Sequence, residues 1–231
     1  MQLVKTRAIV INRINYSEAD KIITVLSNDR GKIRLIAKGV RKQKSRLKAN
    51  IELLHQIEII YKPNNGQIYT LINAHLIKIY HHIIYDYDRL AEAYFFLKVI
   101  NKAIEDKVDN DFFRLLSDSL EALNNLKINP LLVKAWFLIN FLKMSGYQPN
   151  LTDLKNGKKL QTNQIYQFNL SDFYFELSSN QTGFDSKDLK FLRLLVSLND
   201  LMILNNVIEQ EKLVDKLIQL IESMFYTYIQ V

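Results

Sequence analysis

Near residue 80 the spacing of apolar residues changes from two to between three and four. A strand alternates its side chains between two faces, whereas a helix returns to one face every three or four residues. A chain that makes this switch once builds a sheet first and a helical body second. In residues 1–80, Ala8–Ile11 and Ile22–Ser27 are short apolar runs rich in β-branched residues, and Asp29-Arg30-Gly31 is a turn signal. Lys32-Ile33-Arg34-Leu35 then alternates, which predicts Ile33 and Leu35 facing a core while Lys32 and Arg34 face water or a ligand. Ile57–Tyr61 and Ile68–Ile72 flank Pro63-Asn64-Asn65-Gly66, where Asn-Gly predicts the positive φ angles of a tight hairpin. About five strands in about eighty residues predict a small barrel, of OB or SH3-like type.

After residue 80, Leu90, Tyr94, Leu97, Ile100 and Ile104 line one helical face, and Phe113, Leu116, Leu120 and Leu123 line another. Asn129-Pro130 reads as a cap followed by Pro at the first helical position, with Leu132, Trp136, Ile139 and Leu142 inside and Gly146 as a stop. Asp185 or Ser186 caps a helix carrying Leu189, Leu192 and Leu195, and Leu213, Leu217, Leu220 and Met224 mark the last one. Residues 147–184 differ in texture. They are rich in Asn, Gln and Ser and read as a small irregular insert with short strands at Ile165–Leu170 and Phe173–Leu177. All twelve Phe and the single Trp lie beyond residue 80, where core packing accounts for them.

Charge is placed unevenly. Residues 1–80 carry 15 Lys/Arg against 5 Asp/Glu, a net of +10, while residues 81–231 carry 16 against 19. An excess this local implies a polyanionic partner for the first third, with nucleic acid ahead of an anionic membrane surface. The excess is densest in KGVRKQKSRLK, residues 38–48, where six of eleven positions are Lys or Arg and none is acidic.

Catalytic hardware is missing from the sequence. No G-x-G-x-x-G, phosphate-binding loop or G-x-S-x-G elbow occurs, and no cofactor is implied. The absence of cysteine excludes disulfides, thiolate nucleophiles and sulfur-ligated zinc. His75, His81 and His82 lack carboxylates at familiar ligand spacing and read as polar residues at a junction; His55 lies apart. Asp86 and Asp88 read as a helix start rather than a metal-holding pair, and Ser17-Glu18-Ala19-Asp20 as a polar turn. Lys5 and Arg7 interrupt the N-terminal apolar run too early for a signal peptide. The longest stretch without a formal charge, Pro63–Ile77, contains Pro, Asn and Gly. A soluble, cytoplasmic, non-enzymatic protein is expected.

The N-terminal third also carries a specific pattern. Ala8–Ile11, Tyr16-Ser17-Glu18-Ala19-Asp20, Ile22–Leu26, Asp29-Arg30-Gly31 and Ala37-Lys38-Gly39-Val40-Arg41 with Ser45 occur in the order and spacing that open the bacterial recombination mediator family RecO, which this sequence therefore resembles. Gly146-Tyr147-x-Pro149-x-Leu151 is similar to that family's lead-in to a small insert that often binds zinc through two C-x-x-C pairs. Here the first pair falls on Asp153 and Asn156, followed by Gly157. The second falls near residues 175–181, where no Cys exists.

The resemblance implies an α+β chain: an OB-fold barrel over residues 1–80, then a helical domain over 81–231 with a zinc-finger-like insert at about 147–184 that has lost its metal ligands. Leu151, Leu154, Ile165, Phe168, Phe173 and Phe175 would take over the folding role of the metal. It implies a DNA repair and homologous recombination mediator that binds single- and double-stranded DNA and anneals complementary strands. With RecR it helps to load RecA onto DNA coated by single-strand-binding protein, whose acidic C-terminal tail it recognises. Lys134, Lys143, Lys190 and Arg193 are candidates for the tail site on charge alone. The alternative is a non-enzymatic scaffold whose basic barrel binds RNA or an acidic protein tail.

On this reading residues 38–48 join the third and fourth strands, with Gly39 and Ser45 keeping the loop adjustable. Arg41, Lys42, Lys44, Arg46 and Lys48 contact phosphates, with Lys38 at the strand end and Lys32 and Arg34 extending the track. Lys5, Arg7 and Arg13 are weaker candidates. Phosphate contacts give affinity without reading bases. Neutralising about five phosphates predicts a log–log salt slope of about −3.5 on single strands. Only Tyr16, Tyr61, Tyr69 and Tyr80 are available in the barrel for stacking bases, so binding is expected to be dominated by charge.

Overall fold

Five strands close into a barrel in the order β1 (Val4–Asn15), β2 (Lys21–Ser27), β3 (Gly31–Ala37), β5 (Ile68–Lys78), β4 (Gln56–Lys62), with β4 returning to β1. The computed structural model describes residues 2–104, 110–180, 182–206 and 211–229. All strand pairs are antiparallel except β3 with β5, which gives the expected OB-like connectivity. The predicted alternation holds in β3, where Ile33, Leu35 and Ala37 are buried and Lys32 and Arg34 are half-exposed. Val4–Ile9 of β1 pair with β4 and Ala8–Asn15 with β2, with a register shift between Val10 and Asn12 that bends the strand.

The hairpin joining β4 to β5 departs from the expected tight turn. Neither Asn65 nor Gly66 takes a positive φ. The Asn64 side chain closes the loop instead, accepting from the Gly66 N–H at 2.8 Å and donating to the Ile68 carbonyl at 2.8 Å.

The chain forms two compact units, one running to Leu126 and the other starting at Lys127. The first unit includes three helices besides the barrel: α1 (His81–Tyr85), α2 (Tyr87–Ala103) and α3 (Asn110–Leu123). Asp86 caps α2 by accepting from the Arg89 N–H at 3.2 Å. The buried apolar residues of α2 are Ala93, Phe96, Leu97, Val99 and Ile100; Leu90 is only half-buried and Tyr94 is exposed. The stripe is rotated because Arg89 lies inside. Its guanidinium donates to the carbonyls of Leu123 at 2.7 Å, Asn125 at 3.0 Å and Leu126 at 3.3 Å, closing the end of α3, and to the Asp86 carboxylate at 3.2 Å. A buried cation is tolerated only with such partners. In α3, Phe113, Leu116, Leu120 and Leu123 are buried as the periodicity predicts.

In the second unit, α4 (Pro130–Met144) starts where Asn129 accepts from the Leu131 N–H at 2.9 Å, and ends at Gly146 with φ +88°. Its burial runs almost all round from Leu132 to Leu142, wider than the single face expected, because α5 (Ser186–Ser197) and α6 (Glu211–Tyr228) both pack on it. Trp136 donates its ring N–H to the Leu198 carbonyl at 3.1 Å.

The insert is a hairpin of β6 (Tyr166–Asn169) and β7 (Tyr174–Leu177) on an aromatic cluster. Phe168 meets Phe173 and Phe175 edge-on, Phe175 meets Phe184, and Phe173 meets Tyr228 of α6. Tyr166, outside the expected set, is fully buried, with its hydroxyl between the Gln161 N–H at 2.6 Å and the Gln161 carbonyl at 3.2 Å. At Asp153–Asn156 the backbone keeps a tight turn, with the Gly157 N–H on the Leu154 carbonyl at 2.9 Å and the Leu154 N–H on the Lys158 carbonyl at 2.8 Å. Among the described residues no group of three or more His, Cys, Asp or Glu could hold a metal ion. Nor, among them, is any helix long and apolar enough to cross a membrane.

Candidate nucleic-acid interface

The loop leaving β3 is held at both ends by the barrel core. Val40 is fully buried in it, Leu47 packs against it, and Ile51 is buried beyond. Gly39 turns the chain at φ +66°, a conformation that suits glycine. Two successive turns follow, Lys42 N–H to the Gly39 carbonyl at 3.1 Å and Ser45 N–H to the Lys42 carbonyl at 3.0 Å. Farther on, Asn50 donates from its side chain to the Ala74 carbonyl of β5 at 2.8 Å.

The β1–β2 turn buttresses this loop. Asp20 accepts from the Gly39 N–H at 2.7 Å, the Ala19 carbonyl accepts from the Arg41 N–H at 2.9 Å, and the Ser17 carbonyl accepts from the Arg41 guanidinium at 2.6 Å. The polar turn read in Ser17-Glu18-Ala19-Asp20 is thus the support of the basic loop, a role with no local signal because its partner lies about twenty residues on. Gly39 is a fixed corner rather than a source of adjustability.

Between these anchors the cations project outward. Lys38, Arg41, Lys42, Lys44, Arg46 and Lys48 are all exposed, and none of them pairs with a carboxylate among the described residues. Elsewhere on the surface pairing is common: Lys5 meets Glu58 at 2.8 Å, Arg13 meets Glu52, Lys78 meets Glu121 and Lys155 meets Asp172 at 2.7 Å. The loop therefore carries an uncompensated positive field into solvent. Lys32 points elsewhere. Its ammonium donates to the carbonyls of Asn101, at 3.1 Å, and Ile104, at the negative end of α2. Arg34 is half-buried on the outer face of β3, and Arg7 is exposed on β1.

The chain's first 80 residues match the family model described as the N-terminal part of recombination protein O, and residues 84–228 match that of its C-terminal part. This chain belongs to the RecO family. Relatives named DNA repair protein RecO include one from Acetivibrio thermocellus, 32% identical over 171 residues, covering 73% of this chain and 67% of that protein. One from Pelodictyon phaeoclathratiforme is 28% identical over 179 residues, covering 76% and 68%. A third, from Dehalococcoides mccartyi strain CBDB1, is 34% identical over 164 residues, covering 70% and 64%. Within this RecO chain both family segments contain a candidate site: the basic loop in the first, and a groove beside the insert in the second. That groove, about 520 Å³, is lined by Pro149, Leu151, Phe173, Tyr174, Val196 and Arg193, and the Arg193 Nε donates to the Leu151 carbonyl at 2.8 Å. Of the other cations considered for it, Lys134 is paired with Glu222 at 2.9 Å, while Lys143 and Lys190 are exposed.

Proposed function

We propose that this chain is a non-enzymatic mediator of DNA repair and homologous recombination. Six exposed, acid-free cations on a pinned loop carry the reading. They contact phosphates of single- and double-stranded DNA without reading sequence. Two strands brought to such a surface repel each other less, and base pairing then supplies the free energy of annealing. Holding the loop in place beforehand reduces the ordering cost of binding. Lys38, Arg41, Lys42, Lys44, Arg46 and Lys48 make the contacts, with Arg34 beside them; Lys32 supports the site through α2.

The groove beside the insert receives the acidic, Phe-ended tail of single-strand-binding protein. Its apolar wall suits an aromatic ring, and Arg193, which pairs with no carboxylate among the described residues, suits the terminal carboxylate. With RecR, the protein then loads RecA onto coated DNA. The test is RecA filament formation on coated single strands with RecR present. Stimulation by the wild type that is lost in Arg193→Ala and in Arg41→Ala/Lys42→Ala/Lys44→Ala/Arg46→Ala supports the reading. No stimulation by the wild type rejects it.

A further inference from the structure

The β3–β5 ladder begins only at Arg34, paired with Ile68, so the start of β3 and the β4–β5 hairpin stand apart. The gap is a cleft of about 470 Å³, within the range of about 300–1,000 Å³ usual for small-ligand sites. Tyr61 and Tyr69 stack on its wall with ring centroids 5.5 Å apart and planes 7° from parallel. Tyr61 is buried, so the half-exposed Tyr69 is the ring available to an incoming group. Gln67 and the backbone of Gly66 lie on the hairpin side, with Arg30 and Arg34 opposite.

Asp29, also in the lining, accepts from the Thr6 and Ser27 hydroxyls and faces Arg30 at 3.9 Å. Burial tends to raise its pKa, but these hydrogen bonds and the Arg30 charge hold it below the ordinary carboxylate value. The aromatic wall with cations on the rim fits a flat aromatic group bearing a phosphate.

We propose that this cleft takes one unpaired nucleobase of a DNA strand, laid against Tyr69, with an adjoining phosphate at Arg30. The proposal rests on the DNA-binding reading above and adds strand selectivity to it. A base inside a duplex is stacked and paired and cannot enter, whereas the loop accepts either form. From Arg34 to Lys38 is about 13 Å along β3 at about 3.3 Å per residue, so one strand can occupy cleft and loop together. When the complementary strand pairs with the held base, the base leaves the cleft. The duplex product then has fewer contacts than the single strand and departs more readily.

The test compares binding of the full-length protein to a single strand, the matching duplex, and a single strand of the same length whose nucleotides are abasic. The wild type is expected to bind the ordinary strand about 5- to 150-fold more tightly than the abasic one, the range for stacking one base on an aromatic ring. Tyr69→Leu, which keeps apolar bulk against Tyr61, is expected to abolish that difference and leave duplex affinity unchanged. Equal wild-type affinity for the ordinary and abasic strands would overturn the proposal without any variant. So would a Tyr69→Leu protein that still discriminates. The loop variant separates the two readings: loss of all binding there, with base discrimination absent from the wild type, rejects the cleft and keeps the loop. Base discrimination kept in the loop variant together with undiminished overall affinity keeps the cleft and rejects the loop as the main site.

Discussion

Changing Arg41, Lys42, Lys44 and Arg46 together to Ala removes four of the six exposed cations on the loop. Each neutralised phosphate contributes about −0.7 to the slope of log affinity against log salt on single strands. Six contacts give a wild-type slope of about −4.2, and the two that remain give about −1.4. Raising salt from about 50 to about 200 mM should therefore weaken the wild type about 300-fold and the variant about 7-fold. Fluorescence anisotropy of a labelled mixed-sequence oligonucleotide across a salt series reads both slopes. The anchors Val40, Leu47 and Ile51 and the Asp20 bond to the Gly39 N–H are untouched; Arg41→Ala gives up one exposed guanidinium bond to the Ser17 carbonyl, and exposed substitutions of this kind shift stability by about 0.5 kcal/mol or less each, so the variant should remain folded. Equal slopes in two folded proteins would refute the assignment of phosphate contacts to this loop, and a flat wild-type slope would refute phosphate contact altogether.

Other consequences are independent of DNA affinity. Asp20→Ala removes the acceptor of the Gly39 N–H and should raise amide exchange at Gly39, whereas Asp20→Asn keeps an acceptor and should largely preserve protection; equal exchange in all three proteins would remove the buttress from the account. Gly183→Ala should destabilise the second unit by about 3 kcal/mol or more, because φ is +137° there and a Cβ would stand 2.1 Å from the Tyr166 carbonyl oxygen; an unchanged melting temperature would contradict this. Asp185 caps α5, and its carboxyl is held below its ordinary value, chiefly by the Asp188 N–H and also by the Lys187 N–H and the Lys216 charge. A depressed carboxyl contributes stability that is present above its unfolded value and lost as pH falls through the folded one, so thermal stability should drop below about pH 4, less steeply in Asp185→Asn.

Much of this architecture is written in local pattern. Alternation in Lys32–Leu35 marks an inside and an outside on β3 because a pleated strand leaves no other arrangement. Asn129-Pro130 and Asp185 start helices through bonds made within one turn, and so could be read without knowing the fold. What escaped the sequence depends on residues distant along the chain. Arg89 is buried only because the end of α3 offers it carbonyls, and Lys32 turns from solvent because α2 ends beside it. The Tyr61–Tyr69 stack exists because β4 and β5 pair around an Asn64-closed hairpin, which placed a ring on a cleft where few exposed aromatics were expected. The basic loop was visible from composition. Its fixed shape was not, because Asp20 and Val40 hold it from the barrel side.

On the proposed function, the pinned basic loop brings strands together for pairing. The most direct measurement is the annealing rate of two complementary labelled oligonucleotides, with and without single-strand-binding protein, for the wild type and the four-Ala loop variant. Fast annealing is expected of the wild type, and its loss in the variant with an unchanged circular dichroism spectrum. Annealing retained by the variant, or absent from the wild type at low salt, would contradict that role of the loop.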